Sequence, residues 1–167
     1  MIADGFAEPP APPLEPPGIV DGRQSETASL IARGLRRMLR AHGYSSVTEL
    51  SLLDGRRADV VALRSDGALI IVEIKSSVAD FRADNKWRDY LDHCDRLYFA
   101  ISDNVPVEIM PPEAGLIVAD AYGAAILREA PEQRLAPATR RAVLLRFAQA
   151  AADRLHRIAD PNGSGGG

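Results

Sequence analysis

The sequence predicts an α/β domain in which a mixed central sheet carries helices on both faces, in the order αβββαβ, followed by a C-terminal β-hairpin and a last helix. Three observations lead there. Leu69-Ile70-Ile71-Val72-Glu73-Ile74 is an almost unbroken apolar run of the kind that forms a strand buried on both faces. Arg57-Ala58-Asp59-Val60-Val61-Ala62-Leu63 is a second apolar run, and only Arg64-Ser65-Asp66-Gly67-Ala68 joins the two, which makes them a hairpin. A helical stretch then separates the Glu73 strand from the apolar run Arg96–Ile101, so these two strands pair in parallel through a crossover.

Each element has its own justification. Residues 1–20 hold Pro9-Pro10, Pro12-Pro13 and Pro16-Pro17 and little that could anchor to a core, so they read as a disordered Pro-rich tail. Asp21 with Gln24 caps a helix running to about His42, its apolar stripe formed by Ile31, Leu35, Met38 and Leu39 and its end set by Gly43. Val47 to Leu53 forms a first strand ahead of the hairpin. Ser77 caps a second helix from about Val78 to His93, with Asp80 and Asp84 favourable near its start and Phe81, Trp87, Tyr90 and Leu91 available for packing. Pro106, Pro111 and Pro112 mark a loop; Leu116 to Ala119 and Ala124 to Leu127 flank a turn at Tyr122-Gly123. The last helix spans about Ala138 to Ile158 and turns Leu144, Phe147, Ala151, Leu155 and Ile158 inward. One domain over 21–159 is therefore expected, with a flexible Gly-rich tail over 160–167.

Composition narrows the class. A chain of 167 residues that is 46% hydrophobic and 26% charged is ordinary globular material. The single cysteine, Cys94, forbids an internal disulfide and reads as a small residue packed on a helix. No stretch approaches the apolar length of a membrane span, and the first twenty residues lack the features of a secretory leader, so a cytoplasmic chain is expected. The net charge of −3 belongs to the first 22 residues, where Asp4, Glu8, Glu15 and Asp21 meet no Lys or Arg. In the body, basic residues gather on the first helix, at Arg33, Arg36, Arg37 and Arg40, and in or before the last, at Arg134, Arg140, Arg141, Arg146, Arg154 and Arg157. These are solvated faces or a phosphate-tracking surface.

Chemistry concentrates at the hairpin. Glu73 and Lys75 lie two apart on a strand and so share a face. Whether Asp59 joins them depends on loop parity. A two-residue loop would set Asp59 opposite Ile74, whereas the three-residue loop Ser65-Asp66-Gly67, with Gly67 in the left-handed conformation, pairs Arg64 with Ala68 and sets Asp59 opposite Glu73. The second register is the one we expect. Of the 20 basic residues only Lys75 and Lys86 are lysines, which hints that a compact, titratable cation is wanted at position 75. Glu49 reads as a solvated strand residue. His42, His93 and His156 are scattered and give no zinc pattern.

An acid at Asp59, a short hairpin and Glu73-Ile74-Lys75 at the end of an apolar strand resemble the PD-(D/E)XK nuclease superfamily, the fold of restriction endonucleases. The run from Asp59 to Cys94-Asp95-Arg96-Leu97-Tyr98-Phe99-Ala100 is most similar to the MmcB-like bacterial DNA-repair proteins. Ala58 stands where that superfamily places a proline. The resemblance covers about Ser25 to Leu127 and implies a restriction-endonuclease-like core and a metal-dependent endonuclease that hydrolyses DNA phosphodiester bonds in repair. By the same resemblance Asp59 and Glu73, with the carbonyl of Ile74, would hold Mg²⁺ or Mn²⁺, Lys75 would orient or deprotonate a water or neutralise the phosphorus centre, and Glu26 would be an additional acid, the alternative being a carboxylate favourably sited at the N-terminus of the first helix. Lys86 and the arginines Arg33, Arg36, Arg37 and Arg40 would contact DNA; Trp87 and Tyr90 either face the site, with a ring against a base, or pack in the core, and core packing is the expectation. The expected partners are DNA and, through the Pro-rich tail, a repair protein; a homodimer is open to such a chain and a membrane is not. The competing reading is a non-catalytic nucleic-acid- or protein-binding module on the same fold.

Overall fold

The computed structural model describes residues 25–163. The Pro-rich tail, the Asp21–Gln24 cap and the last four residues lie outside them.

The first helix, α1 (Glu26–Ala41), is capped by Ser25, whose side chain accepts from the Ala28 amide at 3.2 Å. It buries Ile31, Leu35, Met38 and Leu39, the expected stripe, and Gly43 at φ +80° ends it. Six strands follow, β1 (Tyr44–Ser51), β2 (Arg57–Arg64), β3 (Leu69–Lys75), β4 (Arg96–Ile101), β5 (Gly115–Ala119) and β6 (Ala124–Arg128). They form one mixed sheet in the order β1-β2-β3-β4-β5-β6, with β3–β4 and β4–β5 parallel and the rest antiparallel. β1 starts three residues earlier than its apolar pattern indicated, because Tyr44 to Ser46 pair with β2 although their side chains are not buried.

Both faces of the sheet are covered. Val60, Ala62, Ile70, Val72 and Ile74 pack with α1, while Val61, Leu69, Ile71, Leu97, Phe99 and Ile101 pack with Trp87, Tyr90 and the last helix, α3 (Pro137–Ala159). All seven residues of β3 are buried, as its composition required. The hairpin register is the expected one. Arg64 and Ala68 share a backbone hydrogen bond of 3.0 Å, Gly67 closes on Arg64 at 2.9 Å, and Gly67 has φ +87°.

Two expectations need correction. The second helix is not continuous: α2 (Val78–Ala83) stops at Asp84, and a 3₁₀ segment, Trp87–His93, follows. Asp84 ends it because its carboxylate leaves the helix, Oδ1 accepting from the Lys86 amide at 3.2 Å and Oδ2 from Lys75 Nζ at 2.7 Å. Ser77 does cap α2, accepting from the Asp80 amide at 3.0 Å. On α3, Val143 and Phe147 are buried, but Leu155 and Ile158 are 67% and 77% exposed. Arg154 still bonds β1, but the last turn beyond it is exposed throughout and packs on nothing among the described residues.

Candidate active site

The site forms where β2 and β3 part. Their ladder is regular from Leu63↔Leu69 to Val60↔Val72, and one step further the register sets Asp59 against Glu73. There the side chains take over from the backbone. Asp59 N donates to Glu73 Oε1 at 3.1 Å and Ile74 N donates to Asp59 Oδ2 at 2.8 Å, so each carboxylate satisfies an amide of the opposite strand. The pairing fixes both rotamers and brings the acids together on the face shared with Lys75.

Electrostatics follow from depth. Glu73 is only 3% exposed, and burial, with the neighbouring Asp59 charge added, pushes its pKa up to about 8. Asp59 is raised too, by burial first and by the charges of Glu49 and Asp80, against the Ile74 hydrogen bond and the Lys75 charge. Burial by itself would lower Lys75. The hydrogen bond and charge of Asp84, with the charges of Glu73 and Asp80, outweigh it and hold the ammonium above the ordinary lysine value.

The sequence missed two neighbours. Asp84 is the direct partner of Lys75, and the visible cue was the turn-forming pair Asp84-Asn85 inside an otherwise helical pattern. Glu49 is not a solvated strand residue. It is half-buried beside Asp59, between the Thr48↔Val60 and Leu50↔Ala58 pairs, with φ +55° and an ion pair from Arg57 Nε to its Oε2 at 2.8 Å. That left-handed backbone in a strand is unfavourable for a residue with a side chain. Arg154 reaches in from α3 to the carbonyls of Thr48 and Glu49 and secures it.

Other candidates separate by location. Glu26 is exposed in the first turn of α1. Arg33, Arg36, Arg37 and Arg40 are all exposed on α1, which covers the opposite sheet face from the Asp59 and Glu73 side chains. Lys86 is exposed just before the 3₁₀ segment. Trp87 and Tyr90 are buried, Trp87 meeting Phe99 edge-to-face at 5.4 Å and Tyr90 Oη donating to the Arg57 carbonyl at 3.1 Å, so both are core residues as expected. Two of the α3 arginines are not solvated: Arg140 clamps Asp95, and Arg154 bonds Thr48. Cys94 is buried and its thiol is pushed up to about 12, chiefly by burial, which suits packing and not nucleophilic work.

Among the described residues no three His, Cys, Asp or Glu side chains gather as a metal cage. The donors on hand are two carboxylates, each with one oxygen engaged by a backbone amide. This set suits a hard cation that keeps much of its water, such as Mg²⁺ or Mn²⁺, and does not suit a four-ligand zinc site. Burial first and the Asp59 charge second raise the Glu73 pKa, and a cation between the acids would lower it.

A family model described as DNA repair protein MmcB-like matches residues 15–162. Among solved structures, the chain is similar to the SPO1766 protein of unknown function from Silicibacter pomeroyi, at 47% sequence identity and a TM-score of 0.82, over 86% of this chain and 98% of that one. No curated protein matches.

Proposed function

The chain belongs to the MmcB-like DNA repair family, and from that premise we propose that it is a metal-dependent deoxyribonuclease of the PD-(D/E)XK type, with Asp59, Glu73 and Lys75 as its reacting groups. The observation that carries the reading is the meeting of Asp59 and Glu73 where the β2–β3 ladder opens, with Lys75 two residues along the same strand face. A buried acid beside a second, half-buried one is unfavourable, and a fold that keeps both and orients each with a backbone amide has a use for them.

Asp59 and Glu73, with the Ile74 carbonyl, would hold Mg²⁺ or Mn²⁺. When bound, the ion supplies Lewis acidity at a phosphoryl oxygen and lowers the pKa of water. Lys75 acts as a cation. Its ammonium is held charged by Asp84, so it is poorly suited to take a proton and well suited to stabilise negative charge building on the phosphoryl oxygens. Asp84 is the positioning residue, since it fixes where that charge sits. Glu73 must lose its proton before it can ligate, so metal affinity rises with pH toward 8.

The test is a panel of labelled single-stranded, duplex and branched DNA, incubated with and without Mn²⁺. Metal-dependent cleavage by the wild-type chain, lost in Asp59→Ala together with metal binding, is the expected result. A chain that neither binds Mn²⁺ nor cleaves any form sinks the nuclease reading.

A further inference from the structure

α1 and β1 enclose a groove of about 890 Å³. Arg33, Arg36, Arg37 and Arg40 form one wall and include Arg33, Arg36 and Arg40 at i, i+3 and i+7, while Ser46 and Thr48 of β1 belong to the other. Among the described residues no carboxylate lines it. Arg36 Nε donates to Ser46 Oγ at 3.3 Å and its terminal nitrogens have no partner among the described residues, whereas Arg37 is partly spent on the carbonyls of Ala121 and Tyr122.

We infer that this groove is the track of a single nucleic-acid strand that leads to the Asp59–Glu73 site; the destination rests on the nuclease reading, and the binding does not. At a helical rise of about 1.5 Å per residue, Arg33 to Arg40 covers about 10 Å. That length matches about three phosphates of a stacked strand at roughly 3.4 Å each. The groove ends at Thr48, at the free edge of the sheet, one residue before Glu49 beside Asp59. At that point Arg154 arrives from the other face and donates to Thr48 Oγ1 at 3.3 Å, so positive charge continues round the edge toward the carboxylates. A cleft between one helix and one strand admits one backbone, with hydroxyls of Ser46 and Thr48 on its inner wall able to donate to phosphate oxygens.

The experiment uses the full chain in EDTA, so that cleavage cannot intervene, with anisotropy of labelled single-stranded and duplex oligonucleotides over a range of salt. Arg33→Ala, Arg36→Ala and Arg40→Ala are combined, the same three positions are changed to Lys as a charge-keeping control, and thermal melts confirm folding. Single-strand affinity should fall at least tenfold in the Ala variant, with the log–log salt slope shallower by about 2, at roughly 0.7 per phosphate contact. The Lys variant should recover most of it. Unchanged affinity, absence of wild-type binding, or a preference for duplex lost in the same way each overturns the inference. So does arginine-dependent binding of a synthetic peptide of the acidic residues 1–22 without binding of DNA. A wild type that binds the strand through these arginines yet never cleaves with Mn²⁺ upholds the groove and sinks the nuclease reading. Cleavage that survives intact in the Ala variant, with binding intact, does the reverse.

Discussion

At the residue scale, Glu73 is a buried acid with a second acid beside it, and the cost is measurable. Its folded pKa of about 8 stands above the ordinary 4.5, so the folded state holds the proton more tightly than the unfolded chain. The stability this contributes is complete below about pH 4.5 and is lost as pH rises through about 8. Metal-free protein should therefore melt several degrees lower at pH 8.5 than at pH 6, and Glu73→Gln should flatten that dependence and melt above wild type at pH 8.5. A wild-type melting temperature that climbs over this range contradicts the proposed burial of two acids. Lys75 fails differently. Lys75→Met keeps the stem and removes the charge, so Mn²⁺ affinity should stay near wild type or tighten slightly, while cleavage falls by on the order of 10²–10⁴-fold. Because the variant strands Asp84, adding Asp84→Asn should restore the melting temperature without restoring cleavage. Recovery of both would reduce the pair to a structural one.

At the element scale, the packing of α1 depends on one glycine. A Cβ at Gly34 would stand 1.9 Å from the Asp120 carbonyl oxygen and 2.5 Å from that of Gly123, both backbone atoms at the β5–β6 turn. Alanine is worth about 1 kcal/mol to a helix interior, but overpacking against backbone costs roughly 1–3 kcal/mol or more, so the clash wins. Gly34→Ala should lower the unfolding free energy read from urea titration by about 2 kcal/mol, and a stabilised variant would mean that α1 sits further from the turn than described. The interruption after α2 is the second decision made by an element. A continuous helix from Val78 to His93 would have to run through the turn-forming pair Asp84-Asn85, and the break there lets the Asp84 carboxylate meet Lys75. The chain gives up part of a helix to make that pair.

At the scale of the whole molecule, the sheet and α3 are joined by a buried clamp. Asp95, just before β4, accepts from the Leu69 amide at 2.8 Å and the Leu135 amide at 3.2 Å, and takes both terminal nitrogens of Arg140 at 2.8 and 2.5 Å. Arg140 also donates to the Gly67 carbonyl at 2.8 Å, so one ion pair connects the β2–β3 hairpin, β4 and α3. Removing one partner leaves the other uncompensated, at a cost of about 3–5 kcal/mol. Asp95→Ala should accordingly drop the melting temperature by about 10 °C or more, while Arg141→Ala, exposed on the same helix, should leave it nearly unchanged. Equal effects from the two would show that the clamp carries no special share of the stability.

How much of this was legible in the chain depended on how local the cause was. The burial of β3 was written in its unbroken aliphatic run, and the meeting of Asp59 with Glu73 followed from a glycine placed to close a three-residue loop, since register in a hairpin is set by its turn. Ser77 as a cap and Gly43 as a stop are equally local. Other features depended on neighbours distant in sequence. Asp84 broke a helix because Lys75, nine residues back, needed its carboxylate. Glu49 took a left-handed backbone where Arg154, from the far end of the chain, could hold it, and Leu155 and Ile158 were left exposed because α3 outruns the sheet that its apolar pattern was read against. Periodicity, turn chemistry and capping act within a few residues and can be read along the chain, whereas the partner that satisfies a buried charge is chosen only when the packed elements bring it within reach.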